Sequence, residues 1–523
     1  MTQTPLDRRP APAPPVTRSI GRAATVSAVL VGTGTTLGFA RDLTMAHLFG
    51  ASGSTDAFLA AWTVPETFSP LLIEDAMALI MVPAVTRMLD RPSGVRSLVS
   101  TALPRLAAGL SLVTVLIILG APYLVEAITP GLQDPASAVL CVRIAAVTVL
   151  TLGIAGFMSA TLRAHHCFGP PASIYFAYNA GILAMLAALA APLGITSAAI
   201  GVAVGSALMV AVQTPAFVRR LRGGGAPQAP APAPAESAFL GVLAVVPVVA
   251  YTLIRQGQTL VERFFGSGLA AGSISHLNYA QKVAQVPMVL ALLIVTVTFP
   301  RLARASASGD TDRVRRRIEA DLVLVSGLIL CATAYLVACS PQIVQVLFEH
   351  GRFAPDDTAS TASILRVYAL GLWGQTALGV CARAFFTQRR PMWHPALAMA
   401  TGLAVTGAIA VTMTSVAGAP ALAAANATGV TITAVLFVAS MRARVVRISL
   451  RVVAVDLARL ALAAAVACAA GLAVAGALAP AVPPALILLV NAAVIVAISV
   501  LVTGAGRSPA TVLRALRPEP NQG

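Results

Sequence analysis

Long apolar runs dominate this chain and limit what it can fold into. Fourteen runs of roughly 20 residues recur along it, and a helix of that length crosses the apolar part of a bilayer. Charged residues make up only 11% of the chain, whereas soluble proteins carry about 25%. We therefore predict an all-α polytopic membrane protein with fourteen transmembrane helices, at 24–49, 56–86, 104–128, 136–162, 171–193, 196–218, 238–265, 274–300, 318–347, 359–386, 394–416, 419–441, 452–477 and 482–503.

Arginine is concentrated in every second connection between these runs, beginning with the N-terminal segment. The remaining connections contain a single arginine, Arg352, among several acidic residues. Because arginine-rich loops stay in the cytoplasm, we predict a multi-pass protein of the plasma (inner) membrane with both termini cytoplasmic. The same distribution accounts for the net charge of +16 and argues against nucleic-acid binding.

A Pro/Ala-rich segment divides the apolar runs into two sets. Residues 223–237 read GGGAPQAPAPAPAES, and such a segment forms extended coil rather than a packed core. The predicted organisation is a disordered cytoplasmic tail at 1–22, a six-helix lobe at 23–222, the cytoplasmic linker at 223–237, a second six-helix lobe at 238–447, helices 13 and 14 at 448–505, and a cytoplasmic tail at 506–523.

The two six-helix sets carry signs of an internal repeat. In the first set Pro83 follows Gly50 by 33 residues, and in the second Pro300 follows Gly266 by 34 residues. Both sets begin on the same side of the membrane, so the repeat is parallel. Parallel repeats are related by an axis along the membrane normal, and the substrate site lies between them. Helices 13 and 14 fall outside the repeat.

Two of the basic residues inside the apolar runs lie at a similar depth in the predicted bundle. Lys282, on helix 8, is the only lysine among 36 basic residues, and Arg41 lies at a similar depth on helix 1. Charges at such depth usually face a wet cavity or a partner charge. Together the two side chains could hold one anionic group, such as a pyrophosphate. Alternatively, Arg41 pairs with Asp56 or Glu262, and Lys282 forms an ion pair or reaches the interface.

Other charged residues in the apolar runs have two interpretations each. Arg255 and Glu262 lie seven residues apart on one face of helix 7, where they line the cavity or pair across helices. Glu74 and Asp75 on helix 2 are candidates for proton or cation coupling or for gating, or are neutral buried carboxyls. Asp56 follows two hydroxyl residues, a position that favours a helix N-cap over a ligand.

The ends of the apolar runs offer sites for lipid. Arg163 and Arg383, at the inner ends of helices 4 and 10, are topological anchors or contacts for a lipid headgroup at an inner gate. Helices 13 and 14 are almost wholly apolar, which suits either simple packing or guidance of a long lipid tail. No catalytic motif and no metal-ligand spacing among the six cysteines is present, which argues against an enzyme and predicts no cofactor beyond a possible coupling cation.

Four segments resemble the MurJ/MviN family, the lipid II flippases of the multidrug/oligosaccharidyl-lipid/polysaccharide (MOP) exporter superfamily. They are LGFARD (Leu37–Asp42), FGASGSTDAF (Phe49–Phe58), VLFEHGRF (Val346–Phe353) and ARAFF (Ala382–Phe386). The resemblance implies two six-helix lobes around a cationic cavity, with helices 13 and 14 forming a groove for a polyprenyl tail. The implied cargo is the undecaprenyl-pyrophosphate-linked peptidoglycan precursor, moved outward by alternating access, in contact with membrane lipids and the cell-wall synthesis machinery.

Residue by residue, Arg41, Asp56 and Glu74 match functional positions of that family. Lys282 stands where the family has an arginine. Thr35 and the pair Ser69-Pro70 replace family arginines, so this chain resembles a divergent member with a less positive cavity. The departures leave three alternatives open: another lipid-linked glycan as cargo, a drug or cation antiporter of the same superfamily, and a scaffold for cell-wall assembly that transports nothing.

Overall fold

Helices and the turns between them make up the described part of the chain. The computed structural model describes residues 16–74, 76–89, 94–222, 235–307, 311–386, 392–444 and 449–504, and no strand occurs among them. This confirms the all-α prediction. The helices are α1 (Val16–Phe49), α2 (Gly53–Ser69), α3 (Ala76–Leu89), α4 (Gly94–Ile128), α5 (Pro135–Ala145), α6 (Val147–Ala164), α7 (Gly169–Ala172), α8 (Ile174–Leu193), α9 (Thr196–Arg222), α10 (Ala235–Gly266), α11 (Ser273–Ala307), α12 (Thr311–Phe348), α13 (Pro355–Leu370), α14 (Leu372–Phe386), α15 (His394–Arg444), α16 (Leu450–Leu478) and α17 (Pro484–Gly504).

The seventeen described helices correspond to the predicted fourteen spans once broken helices are joined and the long helix α15 is divided into two passes. The pairs α2–α3, α5–α6 and α13–α14 each form one broken pass, and α13 meets α14 at an angle of 43°. Helix α15 contains two passes, because Gly418 leaves the helical conformation with a φ of 60°. Only glycine adopts that backbone region without steric cost.

The described passes differ in how well they suit a membrane. By length and hydropathy eight described helices qualify as spans, or nine when α13 and α14 count as one. The passes outside this set are α1, α2 with α3, α10, and α11, which are the first two passes of each predicted repeat. They also carry the charged residues singled out above at positions 41, 56, 262 and 282.

Corresponding helices pack alike in the two halves. Helix α2 packs on α5 as α11 packs on α13, and α1 packs on α8 as α10 packs on α15. We call residues 16–222 the N-terminal lobe and residues 235–444 the C-terminal lobe. Each has its own apolar core, with Leu152 and Ile182 in the first and Phe348 and Tyr368 in the second.

Helices α16 and α17 pack against α12 of the C-terminal lobe. The Tyr335 hydroxyl on α12 donates a hydrogen bond to the Leu488 carbonyl oxygen on α17 at 3.3 Å. Asn491 is fully buried in the same contact. The opposite faces of the pair expose large apolar side chains such as Leu462 and Leu489, as expected for helices surrounded by lipid.

A π-helical turn, Pro70–Glu74, follows α2 within the second pass. Proline lacks an N–H and its ring clashes with the preceding turn, which disrupts the regular ladder of helix hydrogen bonds. The widened turn pushes the Leu72 carbonyl towards Gly156 on α6, where a Cβ atom would collide with it. Only glycine fits at this crossing of the second and fourth passes.

Candidate functional site

Arg41 and Lys282 lie on the wall of one pocket between the two lobes. This pocket, which we call the charged pocket, has a volume of about 310 Å³ counted with its opening. Helices α1 and α2 of the N-terminal lobe and α11 of the C-terminal lobe form it. Its lining residues are Arg41, Asp42, Met45, Phe58, Leu59, Trp62, Asn278, Tyr279 and Lys282.

Three different helices position the Arg41 guanidinium. Its Nη2 and Nε atoms lie 2.7 and 3.0 Å from Oδ1 of Asp42, and Nη1 donates to Oδ1 of Asn179 on α8 at 3.2 Å. On the third side its Cζ atom lies 4.5 Å from the ring centroid of Trp62 on α2, within cation–π distance. The alternative partners expected from sequence, Asp56 and Glu262, were wrong, because the adjacent Asp42 carboxylate reaches the guanidinium first.

Lys282 lines the same pocket from α11. The side chain is partly exposed, and among the described residues no carboxylate lies within ion-pairing distance of its ammonium group. Asp42 balances the charge of Arg41, so among the described residues no negative charge is left to pair with the ammonium. A positive charge inside the membrane is costly unless water or an anion reaches it. The pocket can therefore attract an anion.

Asp56 joins the two lobes at the end of the bundle that carries the turn between α1 and α2, which we call the α1–α2 end. Its Oδ2 accepts a hydrogen bond from the Gly272 N–H at 2.8 Å. Its Oδ1 accepts from the Ser275 N–H at 2.7 Å and from the Ser275 hydroxyl at 2.5 Å. A carboxylate on α2 thus caps the N-terminus of α11 in the other lobe. It does not line the charged pocket.

The expectation that Asp56 caps its own helix was wrong. Ser52 occupies that position, and its side chain accepts the Thr55 N–H at 3.3 Å. Asp56 lies one turn further along α2, past the N-cap position. Its carboxylate therefore points to the unpaired N–H groups of α11 instead.

Close backbone contacts seal the same end. Gly50, with a φ of +65°, lies so near the loop after α12 that an added Cβ would be 2.6 Å from the Arg352 carbonyl oxygen. The Arg352 N–H donates to the His47 carbonyl at 3.0 Å. On α11 the Tyr279 hydroxyl donates to the Gly50 carbonyl at 3.3 Å. These contacts join the FGASGS and EHGRF segments, whose glycines were the only sequence signal for this closure.

A second polar group, the polar cluster, lies around Glu262. Asn426 on α15 donates to Oε1 of Glu262 at 2.6 Å, and the Tyr368 hydroxyl lies close by outside hydrogen-bonding geometry. Glu66 on α2 is near enough to interact electrostatically with Glu262. Several buried atoms here lack a partner among the described residues, namely Glu66 Oε2, Gln258 Oε1 and Nε2, Asn426 Oδ1 and Tyr368 Oη. Buried polar atoms of this kind are commonly satisfied by a bound water or ion.

Arg255, Glu262 and Arg163 do not line the charged pocket. Arg255 is exposed, whereas Glu262 on the same helix is buried. Arg163 lies in the last turn of α6, consistent with either of its two interpretations. The side chains of Glu74 and Arg383, and the whole of Asp75, lie outside the described residues.

Thr35, Ser69 and Pro70, which stand where the resemblance implies arginines, each have a local structural role or environment. Thr35 is exposed, and its hydroxyl donates to the Val31 carbonyl of its own helix at 3.0 Å. Ser69 ends α2, and Pro70 begins the π-helical turn. None of the three residues lines the charged pocket. The cationic groups in its lining are those of Arg41 and Lys282.

Two lobes with matching helix packing and an ionic pocket between them define a polytopic membrane transporter. The chain belongs to the lipid II flippase MurJ family, whose family model matches residues 45–490. Membership in this family confirms the resemblance seen in the sequence and makes the protein a transporter rather than an enzyme.

Individual relatives agree with this assignment. A probable lipid II flippase MurJ of Rhizobium meliloti (strain 1021) is 27% identical over 387 residues, covering 70% of this chain and 71% of that protein. The structure of a lipid II flippase MurJ in an inward closed conformation matches with a TM-score of 0.77 at 18% identity, covering 94% and 100% of the two chains. An inward-facing multidrug resistance transporter of the MATE family and MOP superfamily matches with a TM-score of 0.65 at 12% identity, covering 80% and 98%. At these identities the two structures show a shared fold.

Proposed function

We propose that this protein moves lipid II, the polyprenyl-pyrophosphate-linked peptidoglycan precursor, across the plasma membrane by alternating access. The observation that carries the proposal is the meeting of Arg41 and Lys282, one from each lobe, in a single pocket of a chain that belongs to the lipid II flippase family. A pyrophosphate offers two linked anionic centres. The planar guanidinium suits one and the ammonium point charge suits the other.

Charge balance supports the pyrophosphate as the group recognised. Asp42 neutralises Arg41 in the charged pocket, and Lys282 has no acidic partner among the described residues. An arriving dianion replaces Asp42 as the partner of the guanidinium and pairs the free ammonium. Because one cation comes from each lobe, the bound anion links the lobes, and its arrival or departure changes the energy of moving one lobe against the other.

The predicted topology places the α1–α2 end outside the cell. The capping of α11 by Asp56 then keeps the outer side closed. Even counted with its opening, the charged pocket encloses only about 310 Å³. A lipid-linked glycan with its peptide exceeds it, so loading requires the lobes to separate at the inner side.

The polar cluster is the proposed coupling site. Glu262 is buried against Asn426, polar atoms that lack a partner among the described residues surround it, and Glu66 of the N-terminal lobe is nearby. Two neighbouring carboxyl groups in a buried site favour uptake of a proton or a cation. Uptake there changes the repulsion between the lobes. Glu74 and Asp75 remain further candidates for this role, as predicted from sequence.

The substrate, membrane lipids and other proteins each contact a different part of the protein in this proposal. The substrate's tail stays in lipid while its headgroup crosses, and the apolar pair α16–α17 is the proposed guide for most of its length. Asp56 contributes through closure of the outer side rather than by touching the pyrophosphate, and Arg255 and Arg163 are secondary contacts for the glycan and for lipid headgroups. Components of the cell-wall synthesis machinery are the proposed protein partners.

Complementation of a bacterial strain depleted of its own lipid II flippase tests the function. We expect this chain to rescue growth, the Arg41→Ala and Lys282→Ala variants to fail at equal membrane abundance, and Lys282→Arg to succeed. Arg105→Ala, which removes an exposed arginine on α4, is the matched control and should rescue fully. Rescue by both pocket variants would overturn the site. Loss with Glu262→Gln but not with Lys282→Ala would instead favour an antiporter of a small cation or drug.

A further inference from the structure

A second pocket lies beside the charged pocket on the same helix. It opens between α11 and α14 of the C-terminal lobe, and its volume is about 540 Å³ counted with its opening. We call it the α11–α14 pocket. Its lining residues are Gln285, Met288, Val289, Gln375, Thr376, Gly379 and Val380.

The α11–α14 pocket continues the same face of α11 that carries Lys282. Gln285 and Val289 follow Lys282 by three and seven residues, spacings that place all three side chains on one side of the helix. At the rise of an α-helix, these positions lie about 4.5 and about 10.5 Å along the axis from Lys282. The two pockets are therefore consecutive sites along α11.

The chemistry of the second pocket differs from that of the first. Met288, Val289 and Val380 supply hydrocarbon surface, Gln285 and Gln375 add two uncharged amides, and none of the described lining residues carries a charge. The Thr376 hydroxyl is already used, because it donates to the Leu372 carbonyl of its own helix at 2.8 Å. Such a surface is suited to an apolar ligand more than to a sugar, which needs a hydrogen-bond partner for each hydroxyl.

We propose that the α11–α14 pocket binds the first isoprenoid units of the substrate's polyprenyl chain, those attached directly to the pyrophosphate. This inference rests on the proposed function, because it takes the pyrophosphate to lie between Arg41 and Lys282. In a polyprenyl diphosphate the hydrocarbon chain begins at a diphosphate oxygen. A ligand whose anionic part is held at Lys282 must place apolar carbon within a few ångströms, and the apolar surface next along α11 is this pocket.

With this pocket the protein selects ligands in which a diphosphate is joined directly to an isoprenoid chain. A free pyrophosphate occupies the charged pocket alone, and a phospholipid presents a glycerol ester where the isoprenoid should be. A polyprenyl diphosphate fills both pockets at once and gains from the two contacts together. The remaining length of the chain then continues into the membrane towards α16 and α17.

Gly379 offers a clean way to block the pocket. A Cβ atom at this position meets no other atom within 4 Å, so a leucine there extends into open space without displacing the backbone. Gly407 on α15 is equally open and does not line either pocket, which makes Gly407→Leu the matched control. Val289→Phe fills the pocket from the α11 side and serves as a second, independent blocking variant.

The experiment is photo-crosslinking of the full-length protein in phosphatidylcholine nanodiscs. One probe is a farnesyl diphosphate analogue with a diazirine in its first isoprenoid unit, and the second is a phosphatidylcholine with a diazirine in its acyl chain. We expect the first probe to label the segments 285–289 and 375–380, and inorganic pyrophosphate to compete with it. Gly379→Leu and Val289→Phe should each lower that labelling about tenfold or more, whereas Gly407→Leu should not change it.

The outcomes separate this inference from the proposed function. Labelling elsewhere, or unchanged labelling in both blocking variants, overturns the α11–α14 pocket as the isoprenoid site while competition by pyrophosphate still supports the charged pocket. Equal labelling of the same segments by the phosphatidylcholine probe identifies a general acyl-chain site and also overturns the inference. If neither pyrophosphate nor Lys282→Gln affects labelling by the first probe, the proposed function itself fails.

Discussion

Removing the Asp56 carboxylate should open the α1–α2 end of the protein. In the structure this side chain accepts three hydrogen bonds from Gly272 and Ser275 at the start of α11, across the boundary between the lobes. Asp56→Asn keeps the size of the side chain but replaces one accepting oxygen by an N–H₂ group that faces another N–H donor. The closed arrangement loses both the negative charge at a helix N-terminus and at least one hydrogen bond.

The free-energy cost of Asp56→Asn depends on whether the N–H groups at the start of α11 are hydrated once the α1–α2 end has opened. A hydrogen bond to a charged group contributes about 1.5–3 kcal/mol, but the freed N–H groups of α11 regain water when the end opens. Loss of a helix cap, measured with that compensation included, costs about 0.5–2 kcal/mol. We take about 2 kcal/mol for this buried carboxylate, which corresponds to an increase of roughly 30-fold in the open population.

Thiol labelling measures that population. Leu59 lines the charged pocket and is almost fully buried, so a cysteine placed there reacts with an impermeant thiol reagent only when the α1–α2 end opens. In a background without the six native cysteines, Leu59→Cys should react about 30 times faster when combined with Asp56→Asn. Asp134→Asn is the matched control, because Asp134 caps α5 within its own lobe by accepting the Ser137 N–H at 3.1 Å.

The reverse perturbation completes the test. A Cβ added at Gly53 would lie 3.8 Å from the Cβ of Ala271, inside the range of about 3.5–4.5 Å found in disulfides. Gly53→Cys with Ala271→Cys should therefore cross-link on oxidation, stop labelling at position 59 and stop transport until a reductant is added. An unchanged labelling rate in Asp56→Asn, or equal acceleration by Asp134→Asn, would refute the view that this carboxylate holds the lobes together.

Three further predictions concern single side chains. Trp62→Leu removes the cation–π contact with Arg41, worth about 1 kcal/mol, and should weaken pyrophosphate binding roughly fivefold in a calorimetric titration; an unchanged affinity would show that the ring does not position the guanidinium. Gly156→Ala should lower the thermal unfolding midpoint by several degrees, because its Cβ collides with the Leu72 carbonyl, whereas Gly407→Ala, in open space, should leave it unchanged or raise it. Burial first, and then the neighbouring positive charges, lower the pKa of His165 below 6.5 in the folded protein. The stability that the neutral imidazole contributes is therefore fully present above that pH and is lost as the pH falls further. His165→Gln should reduce the pH dependence of the thermal unfolding midpoint between about pH 7.5 and 5.5.

The sequence determined the membrane class, the helical fold and the identity of the key cations. Long apolar runs specify helices because a bilayer leaves the backbone no other partner, and this logic is local to each run. Arg41 and Lys282 stood out for an equally local reason, since a charge within an apolar run has a cost that function must explain. Both side chains then proved to line one pocket.

The partners of these charges were decided only by the tertiary structure. Arg41 bonds to Asn179 across 138 residues of sequence, Glu262 to Asn426 across 164, and Asp56 to Gly272 across 216. Spacing along one helix cannot rank such contacts, because they depend on how passes from different parts of the chain pack together. The prediction that Asp56 capped its own helix was therefore wrong although its residue type was interpreted correctly.

The α11–α14 pocket shows the same limit most clearly. Met288, Val289, Gly379 and Val380 are ordinary residues of apolar helices, and nothing in their local sequence marks a site. The pocket exists because α11 and α14, which belong to different passes, leave a gap between their side chains. Apolar surface carries no directional signal along the chain, so only the packed structure reveals where such a gap lies beside a charge.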